Sequence, residues 1–334
     1  MTHLLTPPVD GVQVHASTLL ALADGGCLFA WFAGPHEGHP ETGITVMRAA
    51  GRPTPLAPDD RVPHWNPVLA DGPDGSVWLF YKRGHRIDSW ETWVTRSHDG
   101  GRTWESPAPL IAGDTTGGRG PTRQAPLPLG GLWLAPGSVE SWDPARWDCF
   151  IDATHDGGGS WVRHPIPLEH RGLRGAGCIQ PTLVPGRRTR LVALARSTEG
   201  SVYRSATDDP ADWPALQPTG LPNNNSGIAA VVLPDGRIWC AHNDASGDWG
   251  ARSRLIVSSS EDDGLTWRPV TVLEEGAPGE ADGSPAAASA TGVVTDGAGE
   301  YSYPAMIVVG PEVWVTYSWQ RRSIALVRLP HRGS

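Results

Sequence analysis

Apolar residues along the chain fall in short runs, and the runs come in pairs joined by a tight polar turn. The pairs are TLLALADGGCLFAWF, PVLADGPDGSVWLFY, APLPLGGLWLAP, PTLVPGRRTRLVALA, AAVVLPDGRIWCAH and PAMIVVGPEVWVTYSW, turning at Asp24, Asp74, Gly130, Gly186, Asp235 and Gly310. Runs of this kind, rich in Val, Leu and Trp and bounded by Gly, Pro and Asp, predict β-hairpins. A second pattern follows several hairpins, of the form Ser/Thr-x-Asp-x-Gly-x-x-Trp: Ser97-Asp99-Gly101-Trp104, Thr154-Asp156-Gly158-Trp161 and Ser260-Asp262-Gly264-Trp267, with a degenerate copy ending at Trp213. An Asp that accepts backbone N–H groups, a Gly free to take positive φ and a Trp that folds back onto the strands make a structural turn.

Successive box tryptophans are 57, 52 and 54 residues apart. Four short strands with their turns fill roughly 50 residues, and a strand repeat of that size is a propeller blade. The expected fold is therefore all-β, a six-bladed β-propeller of four-stranded antiparallel blades that occupies residues 1–334 as one domain. Residues 276–299 (GAPGEADGSPAAASATGVVTDGAG) break the period and predict an inserted loop, mobile and lying over one end of the central channel because it precedes Tyr301.

Composition narrows the picture. Gly 41 and Pro 32 exceed a fifth of 334 residues, against roughly 12% in ordinary usage, which disfavours long helices; 16 Trp and 39% hydrophobic residues supply a core. The net charge is −9 and all but one of the 27 basic residues are Arg, the exception being Lys82, with no basic run; neither nucleic acid nor membrane is an expected partner. Cys27, Cys149, Cys178 and Cys240 are far apart without a C-x-x-C pair and read as buried free thiols. The opening MTHLLTPPVDG lacks the pattern of a leader, so a cytoplasmic location is expected. No cofactor or metal motif is present. His36, Glu37, His39 and Glu41 share one loop but without defined ligand spacing.

Six blades with these boxes resemble the sialidase (neuraminidase) superfamily, where the boxes are called Asp-boxes or BNR repeats. Segments such as HASTL, PHWNPVLAD, IQPTL, NNNSG and EYSYP are similar to a bacterial branch labelled predicted neuraminidase. The resemblance implies an axial site in which arginines clamp a substrate carboxylate, a Tyr acts at the reacting carbon and an acid/base sits on a first-blade loop. Carried over motif by motif, it puts Arg196 (LVALARSTEG) and Arg252 (GARSRLIVSSSEDDGLTW) on the carboxylate and Tyr301 (EYSYPAMIVV) at the nucleophile position. Three positions depart: His15 stands where the first arginine is expected, Gln180 replaces the glutamate that polarises the tyrosine, and Glu37 or Glu41 replaces the loop aspartate. With His15 in place of the third arginine the carboxylate is held less fully, which implies that simple sialosides are poor substrates, and a Gln cannot take the tyrosine's proton.

Further candidates follow from residue type. His15 can serve as acid or base near neutral pH. Asn66 and Asn225 offer amide groups to sugar hydroxyls, Tyr303 lies two residues from Tyr301, and Lys82 and Arg321 can add positive charge at the axis, with Arg254 and Arg322 as weaker alternatives. His64 is a further titratable candidate, and Trp31, Trp65, Trp90, Trp142 and Trp319 are possible stacking platforms. The resemblance implies an exo-glycosidase for a terminal acidic sugar. Alternatives are a propeller lyase or histidine-dependent glycosidase acting beside a uronic acid, and a non-catalytic glycan-binding propeller.

Overall fold

A computed structural model describes residues 2–56, 60–277 and 280–331 of the chain. Six four-stranded antiparallel sheets follow one another as blades. Blade 1 is Gln13–Ala21, Cys27–Gly34, Gly43–Arg48 and Thr54–Pro55, and blade 2 is His64–Asp71, Val77–Arg83, Glu91–Ser97 and Ala108–Pro109. Blade 3 runs through Leu127–Leu129, Leu132–Trp142, Ala145–Thr154 and Val162–Ile166, blade 4 through Cys178–Pro185, Leu191–Ser197, Ser201–Thr207 and Gln217–Pro222. Blade 5 is Ala229–Val232, Ile238–Asn243, Arg254–Ser260 and Arg268–Glu275. Blade 6 takes Tyr301–Val309, Glu312–Trp319 and Ser323–Pro330 from the end of the chain and its outermost strand, His3–Leu4, from the beginning. The ring is thus closed by pairing the two ends of the sequence. Among the described residues the only helix is a 3-10 turn at Ile87–Ser89.

The core is divided among six blade interfaces. In Cys27–Gly34 the side chains of Cys27, Phe29 and Trp31 face blade 6, while Leu28, Ala30 and Phe32 face blade 2. Both faces are buried, so the second strand of each blade reads as a continuous apolar run and not as an alternation. The four cysteines are free and buried in these interfaces.

The boxes close the turn between third and fourth strands. In blade 2, Asp99 Oδ1 accepts from the backbone N–H groups of Arg102 and Thr103 and from Ser97 Oγ at 2.8–2.9 Å, and Ser97 Oγ accepts from Gly101 N–H at 2.7 Å. Asp156 and Asp262 repeat the arrangement, with Trp161 and Trp267 donating to the carbonyls of Gly158 and Gly264.

One backbone device places the site. At the axial end of the innermost strands, register shifts occur at His15/Thr18, Trp65/Val68, Ile179/Thr182 and Ser302/Ala305. Inside each shift one residue adopts positive φ: Ala16, Asn66, Gln180 and Tyr303, with Asn225 the counterpart in blade 5. A bulge of this kind re-aims a side chain. Here it turns successive blades' side chains toward the axis.

Candidate active site

The axis holds four arginines, each at most 2% exposed: Arg123, Arg196, Arg252 and Arg321. They surround the ring of Tyr303, with the guanidinium carbons of Arg123, Arg196 and Arg252 5.5–5.7 Å from its centroid. Burying four cations is costly unless they are paired. Glu300 bridges two of them, with Oε1 accepting from Arg252 Nη1 at 3.1 Å and Oε2 from Arg321 Nε at 2.9 Å. Arg321 also donates to Glu37 Oε2 at 2.7 Å. Burial opposes the charge of Glu300, yet Arg321 and Arg252 outweigh it and hold the carboxyl down at about 2.

Arg123 and Arg196 have no carboxylate partner among the described residues. Arg123 spends Nη2 on the carbonyls of Tyr303 and Pro304, and burial lowers it to about 10. Arg196 donates Nη1 to the Tyr303 hydroxyl at 2.6 Å and to Gln180 Oε1 at 3.1 Å, and Nε to Asn225 Oδ1 at 3.0 Å. Asn225 is itself held by Nδ2 donating to Asp248 at 2.7 Å, so it positions Arg196.

A cleft opens beside this cluster, lined by Glu37, Asn66, Glu140, Gln180, Arg196 and Tyr303 on its polar side and by Ile87, Trp65, Trp90, Trp142, Trp249 and Val293 on its apolar side. Arg196 is the one arginine in its lining. The cavity measures about 20 Å³, room for a water and not for a sugar. Its cover is the hairpin Ala287–Ser289 and Gly292–Val294 from the inserted segment, whose Ala290 carbonyl accepts from Ile87 N–H at 2.7 Å. Ser289 and Val293 of the inserted segment thus line the cleft; residues 278 and 279 of that segment are outside the described ones.

Several sequence candidates sit elsewhere. Tyr301 packs between blades 5 and 6, donating its hydroxyl to Glu280 at 3.2 Å and accepting from Gln320 at 3.1 Å, so Tyr303 occupies the arginine cluster in its stead. Two residues along a bulged strand reverse the direction of the side chain, which explains the exchange. Arg252 does not reach the cleft, because Glu300 and the Asn225 carbonyl hold it behind Tyr303. His15 is fully enclosed, 4.2 Å from the Tyr303 ring, its Nε2 accepting from Arg321 at 3.4 Å; burial first, then the four arginines, push its pKa well below the usual value. It is a neutral imidazole without access to a ligand. Glu41 forms an exposed pair with Arg61, and Arg254 pairs with Asp244 and Glu275 on the surface. Lys82 is buried off the cleft on Thr92 Oγ1 and the Arg119 carbonyl, its pKa lowered by burial to about 7. Trp31 fills the interface of blades 1 and 6, and Trp319 packs against Tyr301.

Glu37, Asn66, Gln180, Arg196 and Tyr303 are brought together as candidates; Arg123, Glu140, Trp249 and Glu300 were not singled out by the sequence reading. One signal was available: Asn66-Pro67, Gln180-Pro181 and Tyr303-Pro304 stand at the same register before the first apolar pair of their strands, which selects Tyr303 over Tyr301. Nothing local marks Glu140 or Glu300.

The sequence profile of the BNR repeat-like domain family matches residues 25–313. Among solved structures, a Dyadobacter fermentans protein of unknown function superposes with a TM-score of 0.74 at 14% identity, covering 99% of each chain. The Hadza microbial sialidase Hz136 gives 0.73 at 14% identity over 96% of this chain, which spans 66% of that sialidase's length. The Penicillium chrysogenum α-L-arabinanase, solved with arabinobiose, gives 0.68 at 13% identity, covering 98% of this chain and 97% of its own. No curated protein matches the sequence significantly. At such identities the solved structures share the fold.

Proposed function

The chain belongs to the BNR repeat-like domain family, and from that premise we propose that it is a glycoside hydrolase removing a terminal sugar that carries one carboxylate. The observation that carries this reading is Arg196: it is buried, lacks a carboxylate partner among the described residues, opens on the cleft and donates to the Tyr303 hydroxyl at 2.6 Å. A guanidinium so placed binds a substrate carboxylate strongly in a partly desolvated pocket. It also sets positive charge beside the oxygen that faces the reacting carbon. Asn66 and Gln180 offer amide groups to hydroxyls, and Trp65, Trp90, Trp142 and Trp249 give the flat walls on which sugar faces stack. One arginine in place of a clamp of three suits a substrate held chiefly by its ring and hydroxyls. That is the reason to expect simple sialosides to react slowly.

The test is a panel of aryl glycosides, sialosides and uronosides against their neutral counterparts, assayed with the wild type, Arg196→Ala and Tyr303→Phe. Turnover of an acidic glycoside, lost about 100-fold or more in Arg196→Ala and lost by a larger factor than that of any neutral glycoside turned over, supports the proposal. Preference for a neutral glycoside, or a product absorbing in the near ultraviolet as an unsaturated uronate, overturns it in favour of an arabinanase-like hydrolase or a lyase. Binding without turnover would make the protein a lectin.

A further inference from the structure

We propose that Glu140, on the second strand of blade 3, is the proton donor to the departing sugar oxygen. The inference rests on the reading of the cleft as a glycosidase site. Two carboxylates line the cleft, Glu37 and Glu140, and their surroundings differ. Glu37 is committed to Arg321 at 2.7 Å. Glu140 is 6% exposed, and its carboxyl has neither a hydrogen bond nor an ion pair among the described residues. The carboxyl oxygens keep access to the cleft, so they are free to meet a ligand there.

Leu132–Trp142 is the longest strand of the molecule at 11 residues, and its far end carries Glu140 past the blade into the cleft between Trp142 and the Gln180 side. The charged groups that act on it are Arg196 from blade 4 and Glu37 from the first-blade loop, both in the cleft lining, and Lys82 from blade 2, which lies off the cleft. Burial dominates among these influences and lifts the carboxyl to about 7, Arg196 and Lys82 opposing and Glu37 assisting. A carboxylic acid that still holds much of its proton near neutral pH, and that no arginine engages, can give that proton to a departing oxygen.

In the step itself, the Glu140 O–H proton passes to the glycosidic oxygen as the anomeric carbon–oxygen bond breaks, and the bond's electron pair stays on that oxygen. The Tyr303 oxygen, with Arg196 behind it, faces the electron-poor carbon. Water then enters from the side the leaving group vacated, gives its hydroxyl to the carbon and its proton to the Glu140 carboxylate. The acid is restored, and the sum is hydrolysis.

The experiment compares the wild type with Glu140→Gln on one sugar bearing two leaving groups, a 2,4-dinitrophenyl group that needs no protonation and a simple alkyl group that does. Loss of a general acid costs about 10²- to 10⁴-fold where protonation is required, so the alkyl glycoside should lose that much and the dinitrophenyl glycoside less than about 10-fold. Equal losses on both overturn the assignment while leaving the glycosidase reading intact; no turnover by the wild type on either overturns both. A second measurement needs no substrate: the infrared band of a protonated carboxyl in the wild type, absent in Glu140→Gln, should persist at pH 6 and vanish by pH 8. A Glu140 band already gone at pH 5 rules out its role as the acid.

Discussion

Glu300 and Glu140 are both buried carboxylates, and their neighbours drive them in opposite directions. For Glu300 the folded value, about 2, lies below the unfolded value of 4.5, so its contribution to stability is present above pH 4.5 and is lost as pH falls through about 2. Glu140 has a folded value of about 7, above its unfolded 4.5; its protonated form is fully accommodated below pH 4.5, and stability is lost as pH rises through 7. Two substitutions follow. Glu300→Gln leaves Arg252 without its carboxylate and Arg321 with Glu37 alone, and should cost about 3 kcal/mol at pH 7, read as a fall in the denaturant midpoint. Glu140→Gln should instead stabilise the protein by about 1–3 kcal/mol at pH 8 and by little at pH 5, since Gln removes the need to ionise a buried acid. Equal effects at the two pH values would show that Glu140 titrates normally.

Elements decide what was legible in the sequence. The hairpins and boxes were, because both rest on local chemistry: short apolar runs, turn residues and an Asp reaching its own loop. Arg196 and Gln180 were also found, lying at strand ends where motif and register agree. Glu140 and Glu300 were not, since what makes them distinctive is which blades surround them. The Tyr301 and Tyr303 exchange shows how narrow the margin is: the φ of +54° at Tyr303 reverses the facing of every residue before it. The covering hairpin adds dynamics to this scale. A cavity of about 20 Å³ has no room for a sugar, so under the proposed function Ala287–Ser289 and Gly292–Val294 would have to lift for substrate to enter. Its one backbone tie to blade 2 among the described residues, Ile87 N–H to Ala290 O, should then break far more often than the strand ladders. Native-state hydrogen exchange at pH 7 checks this: the Ile87 amide is expected to exchange orders of magnitude faster than those of Leu194 or Ala241. Protection equal to theirs would mean that the hairpin is a fixed wall and that substrate enters elsewhere.

At the scale of the molecule, stability depends on closing the ring. Each blade buries both faces only because it has a neighbour on either side, and the interface between blades 6 and 1 joins the sequence's two ends. His3–Leu4 completes blade 6 by pairing with Leu326 and Ala325, and the next residue continues the contact through Leu5 N–H to the Ile324 carbonyl at 2.8 Å. Consecutive side chains go to opposite faces, Leu4 against the cluster between blades 5 and 6 and Leu5 against the cluster between blades 6 and 1. The same junction holds His15, Arg321 and the Glu300 bridge, so the site shares the fate of the closure. Leu4→Asn and Leu5→Asn should each cost about 1–3 kcal/mol, in line with partly buried leucines, and the double variant should lose less than their sum, because a strand that detaches as a unit has little left to lose once one substitution has freed it. Guanidinium unfolding followed by tryptophan fluorescence reads the midpoints, and near-ultraviolet circular dichroism reads the tyrosine and tryptophan packing at the axis. The expected result is a lowered midpoint with the axial signal lost in the same transition. A double variant with an unchanged midpoint would mean that the ring is held shut by the blade cores alone, with the terminal strand contributing nothing to closure.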